Sequence, residues 1–193
     1  MGTVYLLRHG ESILTEHRLV CGVTNPPLSE KGKETARRAG MRLREKNIQF
    51  DRVICSPLQR CQMTVREIGI TEFSVDPRLR EMNFGVYEGN YIDKGEWHEI
   101  MERFAELTAD GGYTIPGGDK VREFFDRAGE TVRSYLDDGF CGSTLLACHA
   151  IFLSSAYHSL TDGKIGEIFT LHAHPCDCLK IWREGEELYT EFV

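Results

Sequence analysis

The stretch Leu6-Leu7-Arg8-His9-Gly10-Glu11-Ser12 turns from apolar to charged within two residues. Val4 to Leu7 reads as a short buried strand, so Arg8 and His9 emerge where it stops, at the carboxyl end where open α/β sheets place their ligand crevices. A nucleophile then stands beside a cation. That pair suits attack on phosphorus, because a neutral imidazole can take up a phosphoryl group while a guanidinium holds its oxygens in a planar fork. Taken alone, Arg-His-Gly at a strand end is more often a solvated polar step than a catalytic one. The rest of the chain has to decide.

Working outward, strands and helices alternate without a long linker, a repeat or a low-complexity segment. Ser29 is the expected N-cap of a helix through about Glu45, with Ala36, Ala39, Gly40 and Leu43 on one stripe and Asn47 as its stop. Arg52 to Cys55 is a short strand. Ser56-Pro57 then offers a cap and a first-turn proline for a helix whose Leu58, Cys61, Val65 and Ile68 share a face. Phe73 to Val75 is a weaker strand. Trp97, Ile100, Met101, Phe104 and Leu107 predict one amphipathic helix, and Val121 to Tyr135 a longer one after Pro116-Gly117-Gly118. Thr144 to Cys148 is a buried strand followed by a helix to about Leu160, and Leu179–Trp182 with Leu188–Phe192 form a closing hairpin. This order implies an α/β three-layer sandwich: a mostly parallel central sheet with helices on both faces.

Composition bounds the function. At 193 residues and 41% hydrophobic, the chain is long enough to bury a core as one domain, 1–193, without disulfides or metal. A formal charge of −7 argues against a broad nucleic-acid or membrane surface, so an anionic ligand needs a local cationic cluster. The seven cysteines are an odd count, and Cys55 and Cys148 sit in apolar runs, as free thiols in a reducing compartment do. With no signal-peptide pattern at the N-terminus and no membrane-length apolar run, the expected location is cytoplasmic.

Two further features give Arg8 and His9 partners. In Ser56-Pro57-Leu58-Gln59-Arg60 an arginine falls in the first turn of its helix, where the macrodipole disfavours a cation by some tenths of a kcal/mol unless an anion is bound there. His149 ends the strand Thr144–Cys148, so a parallel sheet can bring it beside His9.

These motifs together resemble the histidine phosphatase superfamily, the phosphoglycerate mutase-like fold, over essentially the whole chain. The matching segments are Leu7–Ser12, Pro27-Leu28-Ser29-Glu30-Lys31-Gly32, Ser56–Arg60 with Thr64, Leu79-Arg80-Glu81-Met82-Asn83-Phe84-Gly85-Val86-Tyr87-Glu88-Gly89, and His149. The resemblance implies that His9 is the nucleophile that becomes phosphorylated. It implies that Arg8, Arg60 and His149 surround the phosphoryl oxygens, and that Glu81 is the general acid and base; Glu11 and Glu88 are given packing or orienting roles. Ser12 and Thr15 are expected to reach the phosphate, and Cys21, Gly22, Thr24, Asn25 and Ala150 to line the substrate side. The chain departs from the family at Thr15, where many relatives have asparagine, at Asn25, where they have aspartate, and at Ala150, where glycine is common. No cofactor or metal is called for, and the implied partner is a small phosphate ester.

The segment between Glu81 and His149 is compact, with two predicted helices. Mutases of this superfamily have a long segment there that excludes water, so the wording resembles the branch of broad-specificity and α-ribazole phosphatases. A specificity insert at about 84–116, with Tyr87, Tyr91, Trp97 and Phe104, is expected to wall the site. Mutase or bisphosphatase activity, and non-catalytic phosphoryl binding, remain the alternatives. A separate cluster, His172, His174, Cys176 and Cys178, alternates at period two as a metal site on an extended chain would, although Pro175 interrupts it and four ligands on one strand span too far for one ion.

Overall fold

The computed structural model describes residues 2–109 and 112–193; Met1 and two residues of the 84–116 insert, Asp110 and Gly111, lie outside them. Six strands form one sheet: β1 (Thr3–Arg8), β2 (Arg52–Cys55), β3 (Ser74–Val75), β4 (Ser143–Cys148), β5 (Cys178–Glu184) and β6 (Glu187–Phe192), in the order β3-β2-β4-β1-β5-β6. The contacts β3-β2, β2-β4 and β4-β1 are parallel, and β5 and β6 add an antiparallel hairpin beside β1. The helices are α1 (Ile13–Glu16), α2 (Glu30–Glu45), α3 (Gln59–Glu67), α4 (Glu96–Glu102), α5 (Phe104–Leu107), α6 (Val121–Leu136) and α7 (Ala150–Leu160).

Alternation along β1 assigns the two layers. Val4 and Leu6 join the cluster of Phe124, Ala128, Val132, Phe152 and Leu153 from α6 and α7, while Tyr5 and Leu7 join Ala36, Ala39 and Leu43 of α2 on the other face. Side chains withdrawn this fully each stabilise the fold by roughly 1.5–3 kcal/mol relative to exposure. Helices thus cover both faces of a mostly parallel sheet. Close backbone contact fixes the α2 layer, since a Cβ on Gly40 would stand 2.4 Å from the Ile68 carbonyl oxygen.

Register positions the chemistry. Leu7 pairs with Ala147 and Arg8 with Cys148 in parallel β1 and β4, so the next residues, His9 and His149, leave the sheet side by side. Cys55 pairs with Ala147 in the same way, which brings Ser56 to that edge.

Local differences from the sequence reading have local causes. The helix after β2 begins at Gln59, two residues beyond the expected Ser56-Pro57 start, with Leu58 at the cap position and no cap from its own side chain. Ser56 is engaged elsewhere: its Oγ accepts from Leu58 N at 3.3 Å and lies 2.8 Å from His149 Nε2. Asn25 caps α3 instead, its Oδ1 accepting from Gln59 N at 2.8 Å. The single helix expected over Trp97–Leu107 is two, broken at Arg103 (φ −109°, ψ 5°), because Trp97 and Phe104 each turn into the core. Residues 172–177 are not extended: Cys176 has φ 64°, His172 and His174 are exposed, and Cys176 and Cys178 are buried. The four side chains therefore share no side. Burial pushes the Cys176 and Cys178 thiols up to about 12, leaving them protonated rather than as the thiolates that bind metals.

Candidate active site

His9 is buried at the end of β1, with its backbone N–H donating to Cys148 O at 3.0 Å. Its Nδ1 lies 2.6 Å from Gly10 O, an atom that can only accept, so Nδ1 carries the proton and Nε2 keeps its lone pair. That lone pair accepts from Arg60 Nε at 3.1 Å. Desolvation first, then Arg60 and Arg8, holds the imidazole well below its ordinary pKa of 6.5. At neutral pH the ring is uncharged, with Nε2 as its one unprotonated nitrogen.

Arg60, in the first turn of α3 as expected, is fully buried. Its Nη1 donates to Thr24 O at 2.8 Å, and Nη2 donates to Gly22 O at 2.7 Å and to His149 Nδ1 at 3.0 Å. Because a guanidinium only donates, His149 Nδ1 accepts, and its Nε2–H points to Ser56 Oγ. Desolvation and the Arg60 charge hold this second imidazole neutral as well. The two rings stand edge to face, with centroids 5.1 Å apart. Arg8 donates through Nη1 to Ala173 O, and its buried Nε has no hydrogen-bond partner. Among the described residues no carboxylate makes an ion pair with Arg8 or Arg60. A guanidinium as fully buried as Arg60, with no carboxylate beside it, is costly unless an anion joins it, and half-buried Arg8 adds a second positive charge nearby.

Glu81 is also buried. Its Oε1 accepts from Met82 N at 3.1 Å and Phe152 N at 3.0 Å, and its Oε2 from Ile151 N at 3.1 Å. It therefore caps the amino end of α7, where His149 occupies the cap position without a side-chain bond. Burial raises its pKa above the ordinary carboxylate range, against these N–H groups and the Arg60 charge, which lower it.

A cavity of about 210 Å³ opens onto His9, Arg8 and Glu81, with Thr15, Leu19, Val20, Cys21, Phe84, Ile92, Trp97, Met101, Ala150, Ile151 and Phe169 around it. Of the expected lining residues, Thr15, Cys21 and Ala150 border it. Ser12, Gly22, Thr24 and Asn25 do not, and the correction has a common cause: they build the frame. Ser12 is fully buried as the α1 cap, exchanging hydrogen bonds with Thr15. Gly22 and Thr24 give their carbonyls to Arg60, and Asn25 caps α3. The Gly22 loop is tight, for a Cβ there would stand 2.1 Å from Met82 O. Glu88 holds the same loop, Oε2 accepting from Gly22 N at 3.0 Å and Thr24 Oγ1 at 2.6 Å, Oε1 from Val23 N at 2.9 Å. Glu11 instead meets Lys31 at 2.9 Å.

Arg60 and His149 do not border the cavity either; Arg60 donates to His9 and His149 packs edge to face against it. Sequence reasoning missed Ser56 as the partner of His149, and it missed the wall residues Leu19, Val20, Ile92, Met101, Ile151 and Phe169. Of the expected insert aromatics, Trp97 faces the cavity, Tyr87 and Phe104 pack behind it, and Tyr91 is exposed. No signal marked Phe169, which is brought in from beyond α7 by packing 4.6 Å from Phe104.

Fold and site together define an α/β protein with two histidines and two arginines gathered where β1 and β4 end. Residues 4–191 match the model of the histidine phosphatase superfamily (branch 1). The chain belongs to that superfamily. It is 34% identical over 155 residues to "Probable phosphoglycerate mutase GpmB" of Shigella dysenteriae serotype 1, covering 78% of this chain and 70% of that one. The fold superposes on a phosphoserine phosphatase mutant from Entamoeba histolytica, solved with phosphoserine, with TM-score 0.85 and 16% identity, over 100% of this chain and 96% of that. The alpha-ribazole phosphatase of Shigella flexneri gives TM-score 0.77 and 22% identity, over 99% and 95%. Membership supports an enzyme of the phosphatase or mutase kind. Among the described residues no helix is long and apolar enough to cross a membrane.

Proposed function

We propose that the chain is a phosphomonoesterase that hydrolyses a small phosphorylated metabolite through a phosphohistidine on His9. One observation carries this reading: a neutral imidazole whose one unprotonated nitrogen accepts from a buried guanidinium that no carboxylate neutralises. His9 Nε2 attacks phosphorus, the P–O bond to the alcohol breaks, and protonated Glu81 delivers its proton to the departing oxygen. The resulting carboxylate then takes a proton from water as that water attacks the phosphohistidine, releasing inorganic phosphate and restoring neutral His9. Arg8, which borders the cavity, stabilises charge on the equatorial oxygens of an in-line transition state, while Arg60 positions His9 and His149 behind it. Glu81 suits both steps because burial favours its acid form while helix α7 stabilises its base form.

Hydrolysis is favoured over mutase chemistry by the compact stretch between Glu81 and His149 and by a cavity open to water. A panel of phosphorylated metabolites, including α-ribazole 5′-phosphate, fructose 2,6-bisphosphate and 3-phosphoglycerate, tests the reading with wild type and His9→Ala. Phosphate release that disappears in His9→Ala is the expected result. Isomerisation of phosphoglycerate without net release would instead make the chain a mutase, and binding without turnover a phosphoryl sensor.

A further inference from the structure

The cavity beside His9 is chemically lopsided. Its floor carries Arg8, His9 and Glu81, whereas its walls are mostly apolar, led by Leu19, Phe84, Ile92, Trp97, Met101 and Phe169, with Thr15 and Cys21 as the uncharged polar exceptions. Trp97 anchors an aromatic stack, its ring centroid 5.0 Å from that of Phe84 and 6.1 Å from that of Phe169. Leu19 and Ile92 are brought to the rim by a bracket of two chain segments, in which Val20 N donates to Asn90 O at 2.8 Å and Ile92 N to Arg18 O at 2.9 Å.

Among the described residues lining the cavity, Arg8 is the one lysine or arginine, and its charge acts on His9. Two more cations belong to the bracket, and both are engaged: Arg18 Nε lies 3.4 Å from the Asp93 carboxylate, and Lys94 Nζ lies 3.9 Å above the Tyr91 ring. An ester that carries a carboxylate or a second phosphate beside its phosphoryl group would have to strip that anion of water against tryptophan, phenylalanine and methionine. An apolar alcohol gains contact on the same walls. At about 210 Å³ the space is small against the roughly 300–1,000 Å³ of typical ligand pockets, which suits a compact alcohol.

We infer that the site selects monoesters of uncharged, apolar alcohols, aromatic or branched aliphatic, and rejects esters bearing a second anion such as phosphoglycerates. This inference rests on the phosphomonoesterase reading for the fate of the ester, but the preference itself is a property of the walls. Binding to His9→Ala, which leaves an ester intact, isolates it: calorimetry is expected to show 1-naphthyl phosphate bound at least about tenfold more tightly than 3-phosphoglycerate. Ile92 is 43% exposed, so Ile92→Arg is compatible with the fold, and in the His9→Ala background it is expected to shrink or reverse that ratio. Equal or tighter binding of 3-phosphoglycerate overturns the inference, as does a ratio untouched by Ile92→Arg in a variant of unchanged circular dichroism. Turnover by the wild type separates the two claims. If neither ester is hydrolysed while naphthyl phosphate still binds more tightly, the hydrolytic reading falls and the wall assignment stands; if both are hydrolysed with 3-phosphoglycerate preferred, the reverse holds.

Discussion

Around His9 each polar side chain is held by named partners from the ends of neighbouring strands and helices, whereas a few ångströms away Trp97, Met101 and Phe169 are held by packing alone. The floor is a hydrogen-bonded frame in which Gly10 fixes the His9 tautomer, Gly22 and Thr24 fix Arg60, and Arg60 and Ser56 fix His149. Such a network leaves little freedom for substitution, because removing one member strands a buried partner. The wall comes largely from short helices and loops, and its less buried side chains, Leu19, Ile92 and Met101, can change without disturbing that frame. On the function proposed above, chemistry and specificity fall to physically different parts of one cavity, and experiments can pull them apart.

The largest separation is expected at Glu81. Glu81→Gln should lower turnover of alkyl esters, whose leaving oxygen needs a proton, by roughly a hundred- to ten-thousandfold, while esters of acidic phenols lose far less. The wild-type kcat/KM should fall on the alkaline side as Glu81 ionises, at a pH above the ordinary glutamate value because burial raises its pKa, and this limb should vanish in Glu81→Gln. Equal losses on both ester types would remove Glu81 from proton transfer.

Arg60→Lys tests whether the floor needs a fork or only a charge. A lysine ammonium cannot donate at once to His9, His149 and the two loop carbonyls, so kcat should drop about a hundredfold despite the retained charge. Steady-state kinetics alongside a melting curve check this, and activity within a few-fold of wild type would show that geometry at this position is unimportant. Wall substitutions such as Ile92→Arg should instead alter which ester is preferred.

A smaller effect is expected on stability. His9 and His149 stay neutral in the fold at pH values where the unfolded chain takes up protons near 6.5. Their contribution is therefore present above about pH 6.5 and is lost as pH falls below it, approaching about 1.4 kcal/mol per pH unit for each imidazole. Glu81 acts with the opposite sign, since its raised pKa adds stability at low pH that is lost as pH rises through the folded value. With two strongly depressed imidazoles against one raised carboxyl, Tm should fall between pH 7 and 5.5, and less steeply in His9→Gln.

The same contrast governs what the sequence discloses. The floor was legible because its signals are local: an apolar run ending in Arg8 and His9, another ending in His149, and an arginine one turn into a helix. Register between parallel strands then did the assembly. Ser56 was misread as a helix cap because a serine before proline suits that role, and only the fold shows His149 claiming its hydroxyl. Asn25 was placed on the cavity for its neighbours in sequence, although its side chain reaches the start of α3. The wall was barely legible. Its residues come from the segment after α1, the insert, α7 and the loop beyond it, and apolar side chains at such spacings look the same whether they face a ligand or a core.

The central claim is that His9 carries the phosphoryl group. Wild type quenched in alkali during turnover of a ³²P-labelled ester, then digested and mapped, should hold label on the peptide containing His9, stable in base, lost in acid and absent from His9→Ala. Phosphate release by wild type with no trapped label, or label that persists on another residue in His9→Ala, would contradict it.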